Sequence, residues 1–124
     1  MREIILIVDD ETDVADTYAR VLKRAGFNCI VAYDAPEALA LFDSQQPALV
    51  LSDINLPTAD GFEIARYATL KLPGTPVVLM SAHHNASAPR EAARAGAAHF
   101  MRKPFSNSEL VTIVTSLLGG VVPL

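Results

Sequence analysis

The sequence has little that would staple a chain together or carry it into a membrane. Cys29 is the lone cysteine, which excludes an internal disulfide and suits a reducing cytosol. It reads as a small core residue rather than a nucleophile. No apolar run approaches the ~20 residues that span a bilayer, and no signal-peptide pattern opens the chain, so the expectation is a cytoplasmic protein without a membrane partner. Charge is scarce as well. Asp, Glu, Lys and Arg make up 19% of the residues against 51% apolar, a balance that argues against disorder. An excess of basic residues is also missing: the net charge of −4 counts against direct nucleic-acid binding. With 124 residues the chain fits one domain able to build a core unaided. We expect that domain over residues 1–118, with 119–124, beginning at Gly119-Gly120, as a tail or the start of a linker.

What is present alternates. Short apolar runs at Ile4–Val8, Cys29–Ala32, Ala48–Ser52, Val77–Met80 and Ala97–Met101 have strand length. They are nearly continuous, the pattern of strands covered on both faces. Helical patterns lie between them. Val14, Tyr18, Val21, Leu22 and Ala25 recur at helical spacing and stop at Gly26, after Lys23 and Arg24. Asp34 with Pro36 suits the start of a second helix reaching about Ser44. A third runs from Asp60 to about Leu72 and a fourth from Ser87 to Ala95. Ser106-x-x-Glu109 marks a capping box at the start of a fifth. Five strand-then-helix units predict an α/β fold with a doubly wound, flavodoxin-like parallel sheet, because the crossovers must be right-handed.

In such sheets, sites form beyond the carboxyl ends of the strands. Asp9 and Asp10 follow the first run, Asp53 the third, Ser81 the fourth and Lys103 the fifth. The second run leads to Tyr33 and Asp34, which look like a turn and a cap. Strand order 2-1-3-4-5 moves that strand to an edge and brings the other four ends together in one cleft. Two adjacent carboxylates sharing such a cleft repel by roughly 3 kcal/mol at 5 Å and an effective dielectric of 20, and a cation is the natural compensation. Three carboxylates suit a hard divalent ion, Mg²⁺ when phosphate is also bound. Lys103 adds a positive charge and Ser81 a hydroxyl. The kit is that of phosphoryl transfer, and Asp53, alone at the end of a central strand, is the best carboxylate acceptor.

The stretches "LIVDD", "LVLSDINLPTADGFE", "VVLMSA" and "RKPF" resemble, in order, the motifs of response-regulator receiver domains (CheY-like) of two-component signalling. The resemblance covers about residues 3–118. It implies that Asp53 accepts phosphate from a sensor histidine kinase or a histidine phosphotransfer protein. It further implies Mg²⁺ (or Mn²⁺) ligation by Asp10 and Asp53 side chains and the Asn55 carbonyl, with Asp9 acting through water. Lys103 would contact the acyl phosphate. Ser81 and Phe100 would be the switch pair, and the Lys103–Pro104 bond would be cis. His83 would line the site mouth and, with Asn55, tune loss of the phosphoryl group. Three positions depart from the commoner pattern: Ser81 is less bulky than threonine, Phe100 lacks a tyrosine hydroxyl, and Ala59 stands where a larger apolar residue is usual.

Each residue also has a plainer reading. Asp9 and Asp10 could cap the first helix, Ser81 could be a loop residue, and Lys103 a solvated lysine. His83 and His84 have no third ligand spaced to join them. A dehalogenase-type phosphatase would need Asp-x-Asp with a second acid/base carboxylate; Asn55 stands there instead, so we expect a signalling switch and not an enzyme acting on outside substrates. Flavin binding is disfavoured by three carboxylates facing a phosphate. Output is expected through the face made by helix 4, strand 5 and helix 5, to a partner protein or a homodimer. On helix 5 the apolar arc spans about 160°, wider than the ~100° stripe a docked helix usually buries, which puts Val111 and Leu118 on an uncovered shoulder. Arg90 and Arg94 lie one turn apart on helix 4. The alternative is the input module of a longer regulator with a DNA-binding or enzymatic output domain.

Overall fold

A computed structural model describes residues 3–82 and 86–119. The elements run β1 (Ile4–Val8), α1 (Thr12–Arg24), β2 (Asn28–Ala32), α2 (Ala35–Gln45), β3 (Leu49–Asp53), α3 (Gly61–Lys71), β4 (Val77–Ser81), α4 (Ala88–Arg94), β5 (His99–Arg102) and α5 (Asn107–Leu117). All strand pairs are parallel, and the sheet order is β2-β1-β3-β4-β5. The doubly wound fold is therefore the one the alternation predicts.

The apolar runs become two cores because side chains alternate across a strand. In β1, Ile5 and Ile7 join Ala15, Ala19 and Leu22 of α1 and Leu110 and Val114 of α5 on one face. Leu6 and Val8 point the other way, toward Phe42 of α2, Ile64 of α3 and Ala92 of α4. Full coverage holds for the central strands only. β2 and β5 are sheet edges with partly exposed residues, so Cys29 is half-buried beside the core and not within it.

Helix ends follow local chemistry. Asp34, Asp60 and Ser106 cap α2, α3 and α5 by accepting N–H bonds from Glu37, Glu63 and Glu109, as N-cap side chains do. After α1, Gly26 takes φ 105°; the Gly26 and Phe27 N–H groups donate to the Lys23 and Leu22 carbonyls, closing a Schellman turn. The same turn at Gly96 (φ 95°) uses Ala97 and Ala98 as connector, which is why β5 begins at His99 instead of Ala97. The Lys103–Pro104 peptide is cis.

The shoulder of α5 differs from the expectation. Val111 and Leu118 pack half-buried against the α1/α5 core, and Thr115 is buried with them at 3% exposure. A polar residue thus extends the covered stripe on that side. Ile113, also half-buried against that core, borders with Pro89, Phe100, Arg102 and Phe105 a groove of ≈ 590 Å³ between α4, β5 and α5. Arg94 lies elsewhere, beside Arg66 and the exposed Leu70 at the far ends of α3 and α4.

Candidate phosphorylation site

Register places the site. Val8 pairs with Ser52, Asp53 with Met80, and Ser81 with Arg102. The residues that follow β1, end β3 and β4, and follow β5 therefore emerge together at one edge of the sheet. Asp9 is fully buried, Asp53 and Ser81 are 6% and 5% exposed, and Asp10 is exposed.

Lys103 ties this group together. Its Nζ donates to Asp9 Oδ2 and Asp53 Oδ2, each at 2.8 Å. Its backbone N–H donates to the Ser81 carbonyl at 2.9 Å, locking the loop after β5 to the end of β4. Burial works against the ammonium, but the hydrogen bonds and charges of Asp53 and Asp9 outweigh it and hold the lysine above its ordinary value. The remaining carboxylate oxygens are also placed. Asp9 Oδ1 accepts from the Glu11 N–H at 3.0 Å, and Asp53 Oδ1 from the Asn55 N–H at 2.9 Å. Asp9 thus braces the start of α1 through its backbone, although the N-cap residue is Glu11 and makes no side-chain cap bond. The Asn55 side-chain amide donates to Ser81 Oγ at 3.2 Å, spanning the cleft from the β3 loop to β4.

Carboxylate oxygens of Asp9, Asp10 and Asp53 lie within 4.8 Å of one another. An all-oxygen, acidic donor set of this size fits a hard divalent cation, so the residues present suit the ion that the chemistry asks for. The lysine already offsets part of the repulsion between Asp9 and Asp53, whereas Asp10, facing solvent, is not one of its partners. Phe100 sits half-buried on edge strand β5, against the core on one side and the groove on the other. His83 and His84 lie outside the described residues.

Two neighbours of the site carry only a weak signal in the sequence. Gly61 opens α3 under the Asp53 main chain: a Cβ there would stand 2.5 Å from the Asp53 carbonyl oxygen and 2.9 Å from Ile54 Cα. A glycine as first helical residue, just after its cap, is the available hint, since helix starts rarely favour it. Tyr18 presents its ring to Lys103, with Nζ 5.8 Å from the centroid, and stacks on Phe105. Spacing could assign Tyr18 only to the inner face of α1.

Comparison with known proteins agrees with this geometry. The family model for the response regulator receiver domain matches residues 5–115. The nitrogen assimilation regulatory protein NtrX of Azorhizobium caulinodans is 37% identical over 120 residues, covering 95% of this chain and 26% of that protein. The DNA-binding transcriptional regulator NtrC of Salmonella typhimurium is 34% identical over 113 residues, 91% of this chain and 24% of its own length. The chain thus spans about a quarter of the length of these curated relatives. Among solved structures, a CheY-like receiver domain protein from Methanospirillum hungatei superposes with a TM-score of 0.92 at 28% identity, covering 97% of this chain and 96% of the other. The receiver domain of NtrX from Brucella abortus gives 0.87 at 35% identity, covering 94% and 99%. The chain belongs to the response regulator receiver domain family, the signalling switches of two-component systems.

Proposed function

We propose that Asp53 accepts a phosphoryl group from the phosphohistidine of a sensor histidine kinase or a histidine phosphotransfer protein. The observation that carries this reading is the Asp53 carboxylate itself: nearly buried at the end of a central strand, and sharing one ammonium with Asp9 at 2.8 Å. One Asp53 oxygen attacks phosphorus, the P–N bond of the donor breaks, and its electron pair leaves with the imidazole. The Asp10 and Asp53 side chains and the Asn55 carbonyl, with Asp9 acting through water, would hold Mg²⁺ (or Mn²⁺), which would supply charge neutralisation at the phosphoryl oxygens. Lys103 contributes the fixed positive charge on the opposite flank. Ser81, already reached by Asn55, donates its hydroxyl to a phosphoryl oxygen and draws the end of β4 with it. Phe100 then changes its packing, and the groove between α4, β5 and α5 carries the change to an output partner or a second copy.

The protein works in the cytoplasm as a switch, assisting only its own phosphorylation and dephosphorylation. Among the described residues no helix is long and apolar enough to cross a membrane. A second reading has its own support: the chain matches only about a quarter of regulators named as DNA-binding or nitrogen-assimilation proteins, so it would serve as the input module of a longer regulator. The test of the phosphorylation reading is intact mass after incubation with acetyl phosphate. One added phosphoryl group is expected, lost in Asp53→Asn and in excess EDTA. A gain that persists in either condition overturns the assignment.

A further inference from the structure

Lys103 is held by more than its two carboxylates. The Tyr18 ring of α1 stands on another side of its ammonium, at 5.8 Å from the centroid, within the range of a cation–π contact. Only 11% of the lysine side chain is exposed, and such contacts strengthen as the cation loses water. The ring is itself fixed: Tyr18 and Phe105 stack with centroids 5.3 Å apart and planes 23° from parallel. Phe105 is two residues beyond Lys103, and its other contacts open onto the groove beside Arg102 and Ile113. The tyrosine is thus a bridge between α1, the catalytic lysine and the wall of the output groove.

We propose that Tyr18 is a positioning residue: its ring, clamped by Phe105, aims the Lys103 ammonium at Asp53 and couples the lysine to the groove. The idea rests on the reading of Asp53 as phosphoacceptor. A lysine stem has four rotatable bonds, and two carboxylate contacts at its tip leave the stem free to swing when Asp53 changes charge. An aromatic face at the side of the ammonium restricts that swing without competing for a hydrogen bond. The hydroxyl is not part of the device, since the phenol oxygen of Tyr18 makes no hydrogen bond to another described residue. Burial pushes the phenol up, with the Lys103 charge pulling the other way and Asp9, Asp53 and Glu11 adding to the rise; the ring therefore faces the lysine as a neutral phenol.

The test uses the full chain with Tyr18→Phe, Tyr18→Leu and Phe105→Leu. Three quantities are read: the rate of phosphoryl uptake from acetyl phosphate at saturating Mg²⁺, the Mg²⁺ affinity, and the proton shifts of the Lys103 side chain by NMR. In the unmodified protein, ring-current displacement of the Lys103 Hε resonances is expected, and it should vanish in Tyr18→Leu. Tyr18→Phe should keep that displacement and stay within about twofold of the unmodified uptake rate. Tyr18→Leu should slow uptake about fivefold or more, the scale of a partly desolvated cation–π contact, with Mg²⁺ affinity unchanged. Phe105→Leu should fall between the two. The inference is overturned if Tyr18→Leu takes up phosphate as fast as the unmodified protein, if Tyr18→Phe is as slow as Tyr18→Leu, or if Mg²⁺ affinity falls in step with the rate. Should the leucine variant fail to fold, unshifted Lys103 resonances in the unmodified protein overturn it alone, and displaced ones uphold the contact. Failure of the unmodified protein to take up any phosphate is a different result, and it strikes the phosphoacceptor reading instead.

Discussion

Replacing Gly61 by alanine should damage both the fold and the site, and the structure sets the scale. A Cβ at this position would stand 2.5 Å from the Asp53 carbonyl oxygen, 2.9 Å from Ile54 Cα and 3.1 Å from the Asp53 carbonyl carbon. Ordinary contact begins near 3.4 Å, so the methyl intrudes by most of an ångström. All three atoms are backbone, and no rotamer change can make room. The Gly61 N–H donates to the Ile54 carbonyl at 2.8 Å, which pins the glycine to the same loop from the other side. Against this stands helix propensity, which favours Ala over Gly by up to ~1 kcal/mol inside a helix and by less in its first turn. Overpacking against main chain costs ~1–3 kcal/mol. The net effect is a loss of about 1–2 kcal/mol, or a drop in Tm of roughly 4–8 °C for a domain of this size. The relaxation must move the backbone of residues 53–54, so the Asp53 carboxylate shifts relative to Lys103 and to the N–H of Asn55. Phosphoryl uptake from acetyl phosphate should slow at least tenfold, because sub-ångström misplacement in a positioned reaction is expensive. Calorimetry and uptake kinetics on Gly61→Ala check both statements. A variant as stable and as fast as the unmodified protein would refute the close-approach argument.

Four other outcomes follow from the same geometry. Lys103→Met strands two carboxylates, one of them fully buried, and should lower stability by about 2 kcal/mol, below the 3–5 kcal/mol of a wholly buried pair because Asp10 and the site mouth admit water; urea denaturation with and without Mg²⁺ measures it. Asp10→Ala should weaken Mg²⁺ binding more than Ser81→Ala does, and equal losses in an amide NMR titration would dissolve the division between metal and switch residues. Phosphorylation should move amide resonances at Phe100, Arg102 and Ile113, whereas changes confined to the loops around Asp53 would remove the groove from the output path. Burial pushes the Cys29 thiol up to about 11, against the pull of Lys23; iodoacetamide should therefore react slowly at pH 8 and faster toward pH 11. Because the unfolded thiol ionises near its ordinary value of 9.0, that thiol costs the fold stability as pH rises from 9 to 11 and nothing below.

Much of this was legible in the chain, and the residues show why. Strand runs such as Ile4–Val8 and Val77–Met80 are bounded by charged, polar or proline residues and carry no competing helical period, so their number and order follow directly. Asp9, Asp10, Asp53, Ser81 and Lys103 are polar residues at or within two positions after a strand end, and a parallel sheet brings such positions together whatever lies between them. The order 2-1-3-4-5 puts the second strand at an edge, but nothing in Asn28–Ala32 itself says which residues meet solvent, so Cys29 looked more buried than it is. On α5 the polar Thr115 was passed over, although it lies under the covered stripe, and Val111 and Leu118 pack half-buried beside it instead of forming an uncovered shoulder. Contacts between distant segments were the least accessible. Tyr18 meets Lys103 and Phe105 across more than eighty residues of chain, and Gly61 meets the Asp53 backbone through a turn whose closeness only coordinates reveal.

The central claim is that Asp53 carries the phosphoryl group. An acyl phosphate can be trapped where it forms, because borohydride reduces the mixed anhydride to an alcohol and converts that aspartate to homoserine. After loading with acetyl phosphate and Mg²⁺, peptide mass spectrometry should find homoserine at residue 53 and at no other acidic position. Homoserine at Asp9 or Asp10, or none at all in protein whose intact mass shows the added group, would contradict the account.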